Sequence, residues 1–159
     1  MGIELKVIPV RDFVLERNKI FSLAERIWTR AESSENFKHS IERWGNSGTE
    51  SGEYFYIMQG REEIGITGYF IPDLDNGIFG LRHHGVSVPR AAKIALDLLV
   101  GRLKEEYGYF AKELIELIPR GREELIGIFT SFGFEFSDME VPDWEPKKDY
   151  YRYVMVRRL

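Results

Sequence analysis

Pro89 divides this sequence where its hydrophobic period changes. Before it, Tyr54 to Met58, Ile64 to Ile71 and Ile78 to Val88 are β-rich runs, joined by the turns Gly60-Arg61-Glu62-Glu63 and Pro72 to Gly77. Runs of this kind, separated by Gly, Asp, Asn and Pro, read as a hairpin that continues into a three-stranded meander. After Pro89 the pattern is helical from Arg90 to Glu106, with Ile94, Ala95, Leu98, Leu99 and Leu103 inside and Tyr107-Gly108 at the end. Lys112 to Ile118 is then a short strand. A strand-helix-strand unit in one sheet requires a right-handed parallel crossover. A meander followed by such a crossover confines the chain to a mixed sheet of the α/β class.

The flanking segments fit that class. Ile3 to Val10 reads as a strand stopped by Pro9 and Asp12. Asp12 can cap a helix in which Ile20, Leu23, Ala24, Ile27 and Trp28 form an apolar stripe. Ser33 or Ser34 can cap a second helix with Phe37, Ile41 and Trp44 on one face, and Gly45 is placed to end it. Asn46 to Gly52 is a polar loop. Beyond the crossover come the turn Pro119-Arg120-Gly121, a short helix from Arg122 to Phe132 stopped by Gly133, and a strand from Phe134. A polar loop from Asp138 to Lys148 leads to a closing strand, Tyr150 to Arg157. No repeat or linker divides residues 1–159, so a single domain is expected.

Composition narrows the partners. The net charge of -4 is mixed along the chain with no basic block, which argues against a nucleic-acid binder. The chain contains no cysteine, which removes disulfides, thiolate nucleophiles and cysteine metal sites. No metal site is expected. The start MGIELKVIPV lacks the pattern of a signal peptide, and no stretch approaches the roughly 20 apolar residues of a membrane span. The expectation is therefore a cytosolic protein with no membrane association.

The junction Val86-Ser87-Val88-Pro89-Arg90-Ala91-Ala92-Lys93-Ile94-Ala95 carries the clearest chemical signal. A strand ends and a helix begins within a few residues. The first turn of a helix has amide groups without internal partners, and the helix dipole favours an anion there. Ala91, Ala92 and Ala95 are small enough to admit a phosphate, and Arg90 and Lys93 add positive charge. The same pattern also serves as an ordinary strand-to-helix connection.

In element order the chain resembles the GNAT superfamily of N-acetyltransferases. Their pyrophosphate signature (Gln or Arg, two residues, Gly, one residue, Gly or Ala) has its counterpart in Arg90-Ala91-Ala92-Lys93-Ile94-Ala95, with Lys93 in place of glycine and Leu98 and Leu99 following. Phe132-Gly133-Phe134 and the closing Tyr153-Val154-Met155-Val156-Arg157-Arg158-Leu159 are similar to the family's C-terminal pattern. The resemblance implies a mixed central sheet of about six to seven strands flanked by about four helices. It further implies acetyl-coenzyme A as co-substrate, a small-molecule or peptide amine as acceptor, and backbone contacts from Val86, Ser87 and Val88 to the pantetheine arm. Direct attack of an amine on the thioester needs a base, for which His83 and His84 are the candidates, on opposite faces of their strand. Glu113 and Glu116 are next in line. Asp73 and Asp75 could attract a cationic amine, and Trp144 could line its pocket. The family's frequent tyrosine on the short helix is Phe129 here, and its asparagine is Arg122. Those departures sustain an alternative: a non-catalytic GNAT-like module that binds coenzyme A or a protein partner. The final strand offers an edge for pairing in a homodimer.

Overall fold

The computed structural model describes residues 4–47 and 51–159. Its elements in chain order are β1 (Leu5–Pro9), α1 (Phe13–Ile27), α2 (Ala31–Ser47), β2 (Glu53–Gln59), β3 (Glu62–Asp73), β4 (Ile78–Leu81), β5 (Gly85–Val86), α3 (Ala92–Tyr107), β6 (Glu113–Pro119), α4 (Glu124–Ser131), β7 (Glu135–Ser137) and β8 (Tyr151–Arg158). The class is mixed α/β, with eight strands and four α-helices among the described residues. One strand exceeds the expectation because Ile78 to Val88 is not continuous. It breaks at Arg82–His84 into β4 and β5. Ile3, and residues 48–50 of the expected polar loop, lie outside the described residues. Among the described residues no helix is long and apolar enough to cross a membrane.

The chain forms two compact units, one of residues up to Phe70 with Arg82–Arg102, the other of Ile71–Leu81 with Leu103–Leu159. In the first, β2 pairs antiparallel with β1 on one side and β3 on the other, and β5 adds to β3. Successive strand residues face opposite ways, so Tyr54 and Tyr56 join the core under α1 and α2, whereas Ile57 packs with Ala91 and Ala95 at the start of α3. An extra residue, Ile64, lies between the pairs Ile57↔Gly65 and Met58↔Glu63. This bulge reverses the alternation of β3. Ile64 joins the core on the α3 side and Ile66 the core under α1 and α2.

Helix α1 starts as expected. The Asp12 carboxylate accepts from the Leu15 amide at 3.2 Å, and Phe13, Ile20, Leu23 and Ala24 are buried. Helix α2 corrects two expectations. It begins at Ala31, ahead of both serines, and it runs through Gly45 to Ser47. A Cβ on Gly45 would lie 2.3 Å from Cδ1 of Phe13, so this glycine makes room for a ring and does not terminate the helix.

In the second unit the strand order, starting from the Ile71–Asp73 end of β3, is β3-β4-β6-β8-β7. Strand β4 pairs parallel with β6 from Ile78↔Glu113 to Gly80↔Ile115, the crossover pairing expected from the sequence. The pairs with β4 end there, while β6 continues to Pro119 paired with β8 on its other side. Ile115 and Leu117 share a core with Val141 and Val154. Gly133, at φ 91°, ends α4 as expected. Ile94 of α3, expected inside, is 39% exposed, because the helix turns its buried stripe through Ala91, Ala95 and Leu99.

Candidate functional site

The strand break and the helix that follows it form the candidate site, and all of its residues from Arg82 to Ala95 belong to the first unit. The Arg82 amide donates to Gly68 O at 2.8 Å, while the next pairs are Gly85↔Ile66 and Val86↔Gly65. Three steps along this segment oppose two along β3, so it contains one extra residue. His83 absorbs it with φ 41°, the one non-glycine residue with positive φ among the described residues. Bulges of this kind re-aim side chains and end regular pairing. Two close approaches depend on glycine. A Cβ on Gly65 would lie 2.4 Å from Gly85 O, and one on Gly85 would lie 2.6 Å from Cγ2 of Ile27.

Ser87 closes the pairing. Its amide (2.7 Å) and its hydroxyl (3.1 Å) both donate to Ile64 O, the carbonyl of the bulged residue of β3. Val88 is extended, with φ -114° and ψ 98°. Pro89–Ala91 then makes a single 3₁₀ turn before α3, with Pro89 supplying its fixed φ at the helix entry. The Ala91 amide donates to Val88 O and the Ala92 amide to Pro89 O.

The predicted anion-binding residues divide by orientation. Arg90 and Lys93 are exposed, and Ala92 is half-buried. Ala91 and Ala95 are fully buried and pack against Leu5, Ile57 and Ile64. Their small size lets α3 sit close to the sheet, and their methyl groups point inward. Lys93 does not lie across the turn. Its Nζ is drawn to Asp97 Oδ2 at 3.3 Å, one turn along the helix. The exposed guanidinium of Arg90 and the half-buried Ala92 therefore remain at the surface of the first turn.

The two histidines face opposite ways, although the strand whose alternation led to that expectation is broken where they lie. His83 lies edge-on to Phe37 (centroids 5.5 Å apart) and Trp28 (6.2 Å), on the side of α1 and α2. His84 reaches Thr67 Oγ1 through Nδ1 and Ala92 O through Nε2, both at 2.8 Å. A carbonyl can only accept, so Nε2 carries the proton and Nδ1 accepts from the Thr67 hydroxyl. Burial pushes the imidazole down to about 4, against a smaller upward pull from its bond to Ala92. In this arrangement His84 is neutral at pH 7, with both nitrogens engaged.

The second-tier candidates are scattered. Asp73 caps its own turn, accepting from the Asn76 amide (3.1 Å) and Nδ2 (2.6 Å), which holds it below the usual carboxylate range. Asp75 is exposed. Glu116 in β6 is pushed up to about 8 by burial. Phe129 lies edge-on to Phe132 and Phe134, and Arg122 pairs with Glu124. Trp144 is 38% exposed in the loop before β8. Sequence reasoning passed over Thr67, which is fully buried. Its only signal was a short polar side chain between Ile66 and Gly68.

No protein-family model and no curated protein sequence matches the chain, so the informative likeness is one of structure. Aminoglycoside acetyltransferase AAC(6')-Ib, solved with coenzyme A and kanamycin, superposes with TM-score 0.68 at 13% identity over 98% of this chain and 95% of its own. The PaiA N-acetyltransferase of Thermoplasma acidophilum, solved with coenzyme A, gives 0.67 at 12% identity over 98% and 99%. A GNAT-family acetyltransferase of Staphylococcus aureus gives 0.67 at 16% identity over 98% and 99%. These likenesses span nearly the whole of every chain and agree in element order with the resemblance noted in the sequence. The chain has the fold of the GNAT N-acetyltransferases.

Proposed function

We propose that the protein is an N-acetyltransferase that uses acetyl-coenzyme A as acetyl donor and a primary amine as acceptor. One observation carries this reading. The Ser87–Lys93 segment is moored to β3, ends in a proline-led turn, and presents Arg90 at the entry of a 16-residue helix. The lysine that could obstruct the turn is held aside by Asp97. A diphosphate fits the chemistry of that corner, where a helix dipole and a guanidinium both favour an anion. The solved complexes of similar fold that contain coenzyme A support the choice of donor. Kanamycin in one of them supports a small-molecule amine as acceptor class.

In the reaction the amine nitrogen bonds to the acetyl carbonyl carbon and loses a proton, while coenzyme A departs as the thiol. Val86 and Val88 offer backbone groups beside the bulge for the pantetheine amides. Arg90 holds the diphosphate together with the Ala92 and Lys93 end of the helix. His83, half-buried on the side of α1 and α2, takes the amine proton. Imidazole is the side chain most often used to accept a proton in such a step.

The second reading is a module that binds coenzyme A without turnover. It is favoured by Phe129, which carries no ionisable group and packs with two other phenylalanines. One experiment tests both. Acetyl-coenzyme A should raise Tm, and free thiol should accumulate when a panel of aminoglycosides, polyamines and peptide amines is added. Stabilisation without thiol release selects the second reading, and neither effect removes both.

A further inference from the structure

We propose that His84 is a positioning residue, a two-ended strut that fixes the first turn of α3 for the anionic end of the co-substrate. This rests on the diphosphate placement given above. One end is anchored in β3, where the fully buried Thr67 donates its hydroxyl to Nδ1 at 2.8 Å. The other end is the carbonyl of Ala92, the first residue of α3, which accepts from Nε2–H at 2.8 Å.

The peptide joining Ala92 to Lys93 is planar and its C=O and N–H point in opposite directions. Holding the oxygen on His84 therefore sets the direction of the Lys93 amide, aiming it out of the helix end where an anion would sit. The strut also explains the use of a histidine at this point. Thr67 and Ala92 are bridged by a rigid ring with one acceptor and one donor, and neutral imidazole supplies both in a single tautomer. Ser87 ties the same segment to β3 one turn earlier, through the carbonyl of Ile64. The ring thus adds the link between the sheet and the helix itself. Held this way, His84 has no lone pair to offer as a base, which separates its role from that of His83.

Two substitutions divide the strut. His84→Gln keeps an N–H near the Nε2 position and can still donate to Ala92 O. His84→Asn keeps an acceptor near the Nδ1 position and can still meet Thr67. Calorimetry with coenzyme A on the full chain should find the glutamine variant within about threefold of the wild type and the asparagine variant weaker by at least about tenfold, since mis-aimed groups lose their contacts steeply with displacement. Equal affinity in all three proteins, or loss in the glutamine variant alone, overturns the proposal. Nitrogen-15 NMR of the unmodified chain gives an answer even where a variant does not fold. His84 should be the Nε2–H tautomer from pH 5.5 to 8, and an Nδ1–H tautomer overturns the strut. Absence of coenzyme A binding by the wild type retires the co-substrate reading and the proposal with it. Binding that ignores the variants retires the proposal alone.

Discussion

Glu116 should make the fold less stable as pH rises, and Glu116→Gln should remove that dependence. The residue occupies the middle of β6 opposite the fully buried Met155. Its same-face neighbours along the strand, Leu114 and Ile118, are also fully buried. It is the first residue of β6 past the last pair with β4, Gly80↔Ile115. Burial raises its carboxyl from 4.5 to about 8, so the folded chain holds a proton at pH 7 that the unfolded chain has lost. Stability from this group is complete below about 4.5, declines as pH rises, and is lost above about 8. The full difference corresponds to about 5 kcal/mol, at about 1.4 kcal/mol for each tenfold change in proton affinity. Glu116 retains some accessible surface, and water reaching the carboxylate reduces the expected decline to about 2–3 kcal/mol. The assay is urea denaturation of wild type and Glu116→Gln at half-unit steps from pH 4.5 to 9. The amide adds a constant offset of its own, so the readout is the slope of the difference with pH. A difference that stays flat across this range refutes the reasoning and means that the carboxyl is solvated or paired.

Arg90→Glu places an anion where the diphosphate is proposed to sit. Its affinity for acetyl-coenzyme A, measured by calorimetry, should fall by at least about tenfold, which takes only about 1.4 kcal/mol, and unchanged affinity would remove the placement. His83→Ala should lower kcat by about a hundredfold with little change in the KM for acetyl-coenzyme A, within the range expected for a lost general base; an unaltered rate moves the base elsewhere, with Glu113 and Glu116 next. His84 has its pKa depressed on folding from 6.5 to about 4, so its contribution is present above pH 6.5 and is lost as pH falls toward 4, by about 3 kcal/mol at most. Thermal denaturation of His84→Gln should lack that acid limb, and an identical limb in the variant would assign it to other groups. Gly85→Ala inserts a methyl 2.6 Å from Ile27 Cγ2 and 2.7 Å from Trp28 Cζ2. It should cost about 1–3 kcal/mol by overpacking, and a variant with wild-type Tm would show that this corner yields freely.

The period change at Pro89, the meander before it and the parallel crossover after it were legible because each rests on residues close in sequence. The Asp12 cap and the Gly133 stop were legible for the same reason. The break at Arg82–His84 was not, because the residue in the left-handed region is a histidine, where glycine is the usual signal. The partner that fixes His84, Thr67, lies 17 residues away on another strand, so no local spacing reports it. Gly45 misled for a related reason. Its lack of a side chain serves Phe13, a ring 32 positions earlier, and its position near the helix end was incidental. The ion pair of Lys93 with Asp97 was available all along as an i, i+4 pair of opposite charge. It explains how a lysine occupies the signature position without lying across the turn.

The extra residue at His83 makes chain length itself part of the site. Removing that single residue would put His84 in step with Thr67, so that the segment from Arg82 to Val86 would pair with β3 residue for residue. The left-handed step that re-aims the neighbouring side chains would be lost, while the pairings on either side of it, Arg82 with Gly68 and Gly85 with Ile66, would remain. A one-codon deletion here would therefore act as a larger change than most substitutions of the histidine. Insertions and deletions are accordingly sparse events to expect between Leu81 and Ser87, even where side-chain identity drifts.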